Sequence, residues 1–265
     1  MNMGKGAGMG DRVQGKVVFI TGGSDGIGKA TAIRLAREGA HVVVCARRAE
    51  KLAETRSAIE AFGGAVETRV LDVGDTDAYA AAIADVAARH GRLDGLINNA
   101  MSVRYTSILD TTLEDWRQDF LVNADAVFVG TREALRVMYR QRSGSIVNIS
   151  SLNGIRAMSG MSSYSASKAA LIQLSAVAAI EAAPYGVRVN VVAPGQVATP
   201  AVEHFAQVEP ARAAQSTAVI PMQRSGRPEE LASTLLFLIS DESTYITGAC
   251  LPVDGGKAIQ LYIPS

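Results

Sequence analysis

The sequence predicts an α/β protein in which a parallel sheet is covered by helices on both faces. Short apolar runs rich in β-branched residues recur along the chain, separated by longer stretches with hydrophobic residues at helical spacing. Strand and helix alternate in this way when consecutive strands run parallel. The second run, His41-Val-Val-Val-Cys-Ala46, lacks polar alternation, as expected of a strand buried on both faces.

Residues 17–21 read as the first strand, followed by a glycine-rich loop and a helix over 29–38 that Gly39 closes as a C-cap. Strand 41–46, a helix over 50–62 stopped by Gly63-Gly64, and strand 66–71 come next. Helix 76–89 leads to strand 95–98. A long helical tract over 113–140 precedes a short β-branched strand, 145–150. An Ala-, Leu- and Ile-rich helix over 169–183 is broken by Pro184, and its head reaches back to Tyr164 and Lys168. Strand 187–192, an irregular small-residue stretch over 201–222, helix 228–239 opened by Pro228, and strand 248–253 complete the chain.

The chain has 265 residues, 48% of them hydrophobic, and 26 basic residues balance 26 acidic ones. That balance gives no footprint for nucleic acid or an anionic membrane, and no apolar run is expected to span a bilayer. Residues 1–10 are rich in Gly and Met and lack the apolar core of a signal peptide. Residues 1–14 are expected to form a disordered tail, 15–265 one domain, and the location to be cytoplasmic. Cys45 and Cys250 fall in predicted strands far apart in sequence. They read as two buried thiols, with a disulfide as the alternative. His41 and His90 carry no motif, His204 reads as a surface residue, and no metal site is expected.

The chemistry concentrates between Ser151 and Lys168. Tyr164 and Lys168 are one helical turn apart on the same face. A free phenol has a pKa of about 10; a neighbouring ammonium favours the phenolate and is expected to lower it. Ser151, at the strand end, could hydrogen-bond the same substrate oxygen, with Ser150 as its competitor. Upstream, Gly22, Gly26 and Gly28 give a turn that lets backbone approach a pyrophosphate at a helix N-terminus.

With Thr21-Gly22-Gly23-Ser24-Asp25-Gly26-Ile27-Gly28, Asn98-Asn99-Ala100, Asn123 and Pro194-Gly195, this pattern resembles the short-chain dehydrogenase/reductase family over residues 15–257. The resemblance implies one Rossmann-type, doubly wound domain with seven strands, and hydride transfer between NADP or NAD and a ketone or secondary alcohol. It selects Ser151 over Ser150 and assigns catalysis to Asn123, Ser151, Tyr164 and Lys168. Asn123 would distort its helix and hold a proton-relay water. For the cofactor it implies Gly22, Ser24, Asp25, Gly26, Ile27, Gly28, Asp72, Val73, Asn99, Ala100, Pro194, Gly195, Val197 and Thr199, besides Tyr164 and Lys168. It also implies a substrate lid over about 197–225 and a homotetramer. Met101 stands where the family usually has glycine. Met101, Val103, Met158, Met161, Val202 and Phe205 are expected to border the substrate, with Arg104 and Arg156 nearby.

NADP is the expected cofactor. An NAD-type site places an acid at the end of the second strand; here that strand ends Cys45-Ala46-Arg47-Arg48. Arg47 offers a planar fork to a 2′-phosphate, with Arg48 and Ser24 as helpers and Asp25 as an opposing charge. The rival readings are an NAD-linked alcohol or diol dehydrogenase and, outside enzymes, a nucleotide-sensing regulator. Relatives of the latter kind usually lack the tyrosine or lysine.

Overall fold

The computed structural model describes residues 10–260. Seven strands form one sheet in the order β3-β2-β1-β4-β5-β6-β7, with every pairing parallel. The strands are β1 (Val17–Thr21), β2 (His41–Ala46), β3 (Ala65–Val70), β4 (Gly95–Asn98), β5 (Gly144–Ile149), β6 (Val187–Pro194) and β7 (Cys250–Val253). Helices α1 (Gly26–Arg37), α2 (Ala49–Glu60), α3 (Thr76–His90), α4 (Leu113–Phe120), α5 (Ala126–Gln141), α6 (Ser162–Ala182), α7 (Pro200–Val208), α8 (Pro210–Ala218) and α9 (Pro228–Ile239) complete the fold.

Successive residues of a strand point to opposite faces, so β1 feeds two cores. Val18 and Ile20 pack with Leu35 of α1 and Leu235 and Leu236 of α9, whereas Val17 and Phe19 pack with Tyr79 and Ile83 of α3 and Met138 of α5. The strand order reverses between β1 and β4. In an open parallel sheet that reversal leaves a crevice at the carboxyl ends of the strands.

Four expectations are corrected. Residues 10–14 are held against the fold rather than forming a tail: Val13 is fully buried, Gly10 N donates to Arg37 O at 2.7 Å, and Arg12 pairs with Glu242 at 2.5 Å. The tail expected over 1–9 lies outside the described residues. The tract 113–140, expected as one helix, is α4 and α5 joined by a π-helical turn, Leu121–Asp125; the distortion that the resemblance implied at Asn123 is there, at the centre of that turn. The stretch 201–222 is mostly helical, because Pro200 and Pro210 each open a helix at its first turn. Finally, α6 with the turn after it, Ser162–Tyr185, is long and apolar enough by composition to cross a membrane. It is a core helix here: Tyr164, Lys168, Leu171 and Ser175 are buried, and α6 packs on β6.

A buried polar chain ties the sheet to its helices. Tyr79 Oη donates to Asn98 Oδ1 at 2.6 Å, and Asn98 Nδ2 donates to Asn148 Oδ1 at 2.8 Å across the β4–β5 register. Asn148 Nδ2 donates to Ser175 Oγ at 2.9 Å, and Ser175 Oγ donates to Leu171 O at 2.7 Å. Tyr79→Phe leaves Asn98 Oδ1 buried without this donor. The expected loss is about 1–3 kcal/mol of stability, read as a lower denaturation midpoint at unchanged slope; an unchanged midpoint would mean the chain adds nothing net.

Candidate active site

The crevice is a cleft of about 620 Å³. The α1 end of it is built from residues that need to be small. Gly22 has φ +65°, and a Cβ on Gly28 would stand 2.2 Å from Gly22 O. The loop therefore folds onto itself only with glycine at both places. Asn99 locks it from below, its Nδ2 donating to Thr21 O at 3.0 Å and to Gly22 O at 3.2 Å. Thr21 Oγ1 accepts from the Asn99 and Ala100 amides, both at 2.9 Å. Helix α1 starts three residues earlier than its periodicity suggests, at Gly26, with Asp25 as its N-cap and no acidic residue in its first turn. Its positive end thus opens onto the cleft. This small-residue cradle at a helix N-terminus fits a dinucleotide pyrophosphate.

All the expected site residues except Gly28 and Asn123 line this one cleft. Ser24, Asp25, Gly26 and Ile27 form its α1 wall, with Thr199 opposite: a Cβ on Gly26 would stand 2.9 Å from Thr199 Cγ2. Arg47, Arg48, Asp72 and Val73 lie at the β2 and β3 ends, and Pro194, Gly195 and Val197 after β6. The cations there are already paired. Arg48 Nη2 donates to Asp25 Oδ2 at 3.2 Å, while Arg47 Nη1 stands 3.9 Å from Asp72 Oδ2 with its side chain 74% exposed. Of the residues expected to border the substrate, Met101, Val103 and Val202 line the cleft. Met161 is buried beside it with its sulfur accepting from Asn153 Nδ2 at 2.8 Å, and Arg104 pairs with Asp115 at 3.0 Å. Met158, Phe205 and Arg156 are not among the lining residues.

At the far end, Lys168 Nζ donates to Ile149 O at 2.8 Å and lies 5.8 Å from the Tyr164 ring centroid. The Ser150 hydroxyl is committed to the α6 backbone, donating to Lys168 O at 3.0 Å. Ser151 caps the short turn after β5, where its Oγ accepts from Asn153 N at 3.2 Å and keeps its own proton to donate. Electrostatics here depart from the sequence-based expectation. Burial pushes the Tyr164 phenol up to about 12, with the Ser151 hydroxyl pulling the other way, and pushes Lys168 down to about 7. Desolvation penalises phenolate and ammonium alike, so burial, rather than attraction between the two groups, sets both shifts, each toward the neutral form.

Asn123 lies behind the cleft rather than in it. Its Oδ1 accepts from Ser102 N at 3.0 Å, and its Nδ2 donates to Ser102 O at 2.8 Å and to Ser167 Oγ at 3.1 Å. Sequence reasoning missed its companion. Asp119 is fully buried, and one oxygen accepts from Ser102 Oγ, the other from Ser163 Oγ, both at 2.6 Å. The available signal was its position four residues before Asn123, on the same face. Both cysteines are free thiols; burial pushes Cys45 up to about 12.

A family profile described as Enoyl-(Acyl carrier protein) reductase matches residues 22–258. The chain is 41% identical to a 3-oxoacyl-[acyl-carrier-protein] reductase of Thermotoga maritima over 94% of this chain and all of that one. It is 40% identical to a 2,5-dichloro-2,5-cyclohexadiene-1,4-diol dehydrogenase of Sphingobium indicum, over 95% of this chain and 99% of the other. Among solved structures it resembles one from Beutenbergia cavernae, described as a candidate NAD(P) dependent gluconate 5-dehydrogenase with NADP bound at low occupancy. The TM-score is 0.89 at 35% identity, over 94% of this chain and 98% of that one.

The lysine provides a pH test. It titrates near 7 in the folded chain against an ordinary 10.5. Between those values the unfolded chain binds more protons, so this residue's contribution to stability rises with pH, and its full penalty applies below about 7. Relative to wild type, Lys168→Met is therefore expected to gain most stability below pH 7 and to lose that gain towards pH 10. A difference in unfolding free energy that stays flat over this range would contradict the burial argument.

Proposed function

The chain belongs to the short-chain dehydrogenase/reductase family, and from that premise we propose that it transfers a hydride between NADP(H) and a ketone or secondary alcohol. The observation that carries the proposal is the meeting of Ser151, Tyr164 and Lys168 at one end of a cleft whose other end is a glycine cradle at a helix N-terminus. When bound, the nicotinamide supplies the hydride chemistry. The protein supplies position and proton control.

The phenol of Tyr164, held protonated by burial, donates a proton to a carbonyl oxygen in the reducing direction. The Ser151 O–H donates to the same oxygen and fixes its place. Lys168, buried next to the phenol, supports the phenolate left after transfer and would hold the nicotinamide ribose of a bound cofactor. Asn123 shapes the π-helical turn and holds Ser102, and through it the wall that follows β4. The protonated phenol is the form that reduction of a carbonyl uses. The apolar wall of Met101, Val103 and Val202 suits an uncharged substrate, and Arg104, tied to Asp115, offers no free cation for a carboxylate.

For the cofactor, Asp25 is neutralised by Arg48, which removes the repulsion that a loop acid would exert on a 2′-phosphate. Arg47 holds Asp72 only at 3.9 Å and is largely exposed, so it can turn to the phosphate. The NADP seen in the Beutenbergia cavernae structure is consistent with this choice. A homotetramer is the proposed assembly, with α5 and α6 as contact helices. Ala169, Ala170, Gln173, Val177 and Ile180 leave an exposed, largely small and apolar stripe on α6, and Phe128 is exposed on α5. Ala176 is half-buried, whereas Ala178 and Ala179 are used inside the chain.

Tyr164→Phe is expected to reduce turnover by about 10²–10⁴-fold, the usual worth of a general acid, while NADPH titrations change little. Near-normal turnover would overturn the assignment. Arg47→Ala should weaken NADP(H) by about ten- to a hundredfold, the worth of one charge-assisted hydrogen bond, and barely change NAD(H); equal losses would point to a structural role. Light scattering at micromolar concentration should give four times the chain mass, and a monomer would rule out the assembly.

A further inference from the structure

Two of the chain's three histidines meet at one carboxylate, away from the cleft. His41 opens β2, Glu67 is the third residue of β3, and His90 ends α3. His41 Nε2 lies 3.0 Å from Glu67 Oε1, and His90 Nε2 lies 2.7 Å from the same oxygen. The imidazole centroids are 4.5 Å apart, and the three ligand atoms all lie within 4.8 Å of one another. The side chains are 29%, 24% and 20% exposed in the order His41, Glu67, His90, so the cluster is sheltered yet reachable. It stands at the amino end of the sheet, about 16 Å along β2 from the cleft at a rise of about 3.3 Å per residue.

We propose that His41, Glu67 and His90 form a divalent transition-metal site, with Zn²⁺ as the fitting ion. Two imidazoles and one carboxylate are a ligand set that zinc accepts, with ligand distances of about 2.0–2.2 Å and a fourth position left to water. A tetrahedron of that size places ligand atoms about 3.3 Å apart, so the two spacings from Glu67 Oε1 to the imidazoles, 3.0 and 2.7 Å, need to open by only about 0.3–0.6 Å. The carboxylate is oriented for it. Arg89 Nη2 donates to Glu67 Oε2 at 2.6 Å, leaving Oε1 to the histidines, which is the outer hydrogen bond that fixes a ligating carboxylate. Arg89 also holds Asp85 at 3.1 Å, and Arg69 pairs with Asp85 too. The two guanidinium groups are thus balanced by two carboxylates before the ion arrives. Against the partial burial of Glu67, Arg89 and His90 together hold it below the usual carboxylate range. The ion would clasp the edge strand β3 to β2 and α3, acting on stability and not on hydride transfer.

The test uses the full chain, free of any affinity tag and stripped with a chelator. Calorimetric titration with ZnCl₂ at pH 7.5 should give one ion per chain. At a hundredfold excess over Kd the melting temperature should rise by about 5 °C or more. His41→Ala and His90→Ala should each weaken binding at least tenfold, while His204→Ala leaves it unchanged. Binding should weaken on acidification, because protons compete with a metal for its ligands. Wild type loaded with Cu²⁺ should give an electron paramagnetic resonance spectrum split by two nitrogens, a readout that needs no variant to fold. No saturable binding by wild type, equal affinity in the histidine variants, or a copper spectrum without nitrogen splitting would each overturn the proposal, leaving a hydrogen-bonded cluster that clasps the edge by itself.

Discussion

The removal of one lysine from water organises the molecule. Lys168 is 1% exposed, and its Nζ reaches a single carbonyl, Ile149 O, where β5 ends. Everything near that bond is arranged to keep strand end and helix in register. Ser150 Oγ holds Lys168 O, and Gly154 lies so close that a Cβ there would stand 2.9 Å from the same oxygen. Deeper in, Asn148 grips Ser175 two turns further along α6. An isolated buried ammonium is costly, and among the described residues no carboxylate pairs with this one, so the fold bears the cost by letting the group lose its proton readily. A lysine kept so near its neutral form beside a phenol kept protonated is an arrangement for moving protons, and a poor one for stability.

The π-helical turn between α4 and α5 answers the same need from the other side. Its extra residue in the ladder re-aims the face of the helix, and such bulges cluster at functional sites. Here the turn brings Asn123 and, one turn earlier, Asp119 onto Ser102, the fourth residue after β4. Asp119 then reaches Ser163 in the first turn of α6, where the helix dipole favours a negative charge. One buried carboxylate thereby fixes the loop after β4 relative to the helix that carries Tyr164 and Lys168. The wall of the cleft and the proposed proton donor move together.

Most of the sheet is legible in the sequence because buried parallel strands are written as unbroken apolar runs. The glycine cradle is legible too, since glycine at 22, 26 and 28 between a strand and a helix leaves the backbone bare where a phosphate would approach. Features that arise only on assembly are not. A helical tract shows its period but not a single-residue bulge within it, so periodicity reads 113–140 as continuous, and only the family resemblance pointed to a distortion at Asn123. Alanine-rich stretches after Pro200 and Pro210 lack a buried face, and periodicity has nothing to report there: neither α7 nor α8 has a buried residue. The sign of the tyrosine–lysine interplay is hidden for a similar reason. Charge attraction follows from spacing, whereas desolvation depends on everything packed around the pair. His41 and His90 carry no motif because they lie 49 positions apart, and only the adjacency of β2, β3 and α3 joins them.

The charges at the cleft's open end show how pairing alters what a residue can recognise. The sequence offers two cations where an acid would select the 2′-hydroxyl, Arg47 as the principal one and Arg48 as its helper. In the fold Arg48 is tied to Asp25, and Asp25 in turn accepts from Gly26 N at 2.9 Å as the cap of α1. Releasing Arg48 would cost an ion pair and expose a carboxylate beside any phosphate, so Arg48 serves by masking Asp25. Arg47 has a longer and more exposed pairing with Asp72, and surface pairs of that kind are worth at most about 1 kcal/mol. A phosphate can displace that partner easily. On the proposed reading, discrimination between the two cofactors falls on the arginine with the weaker partner, and the acid in the glycine loop is compatible with NADP because Arg48 pairs with it.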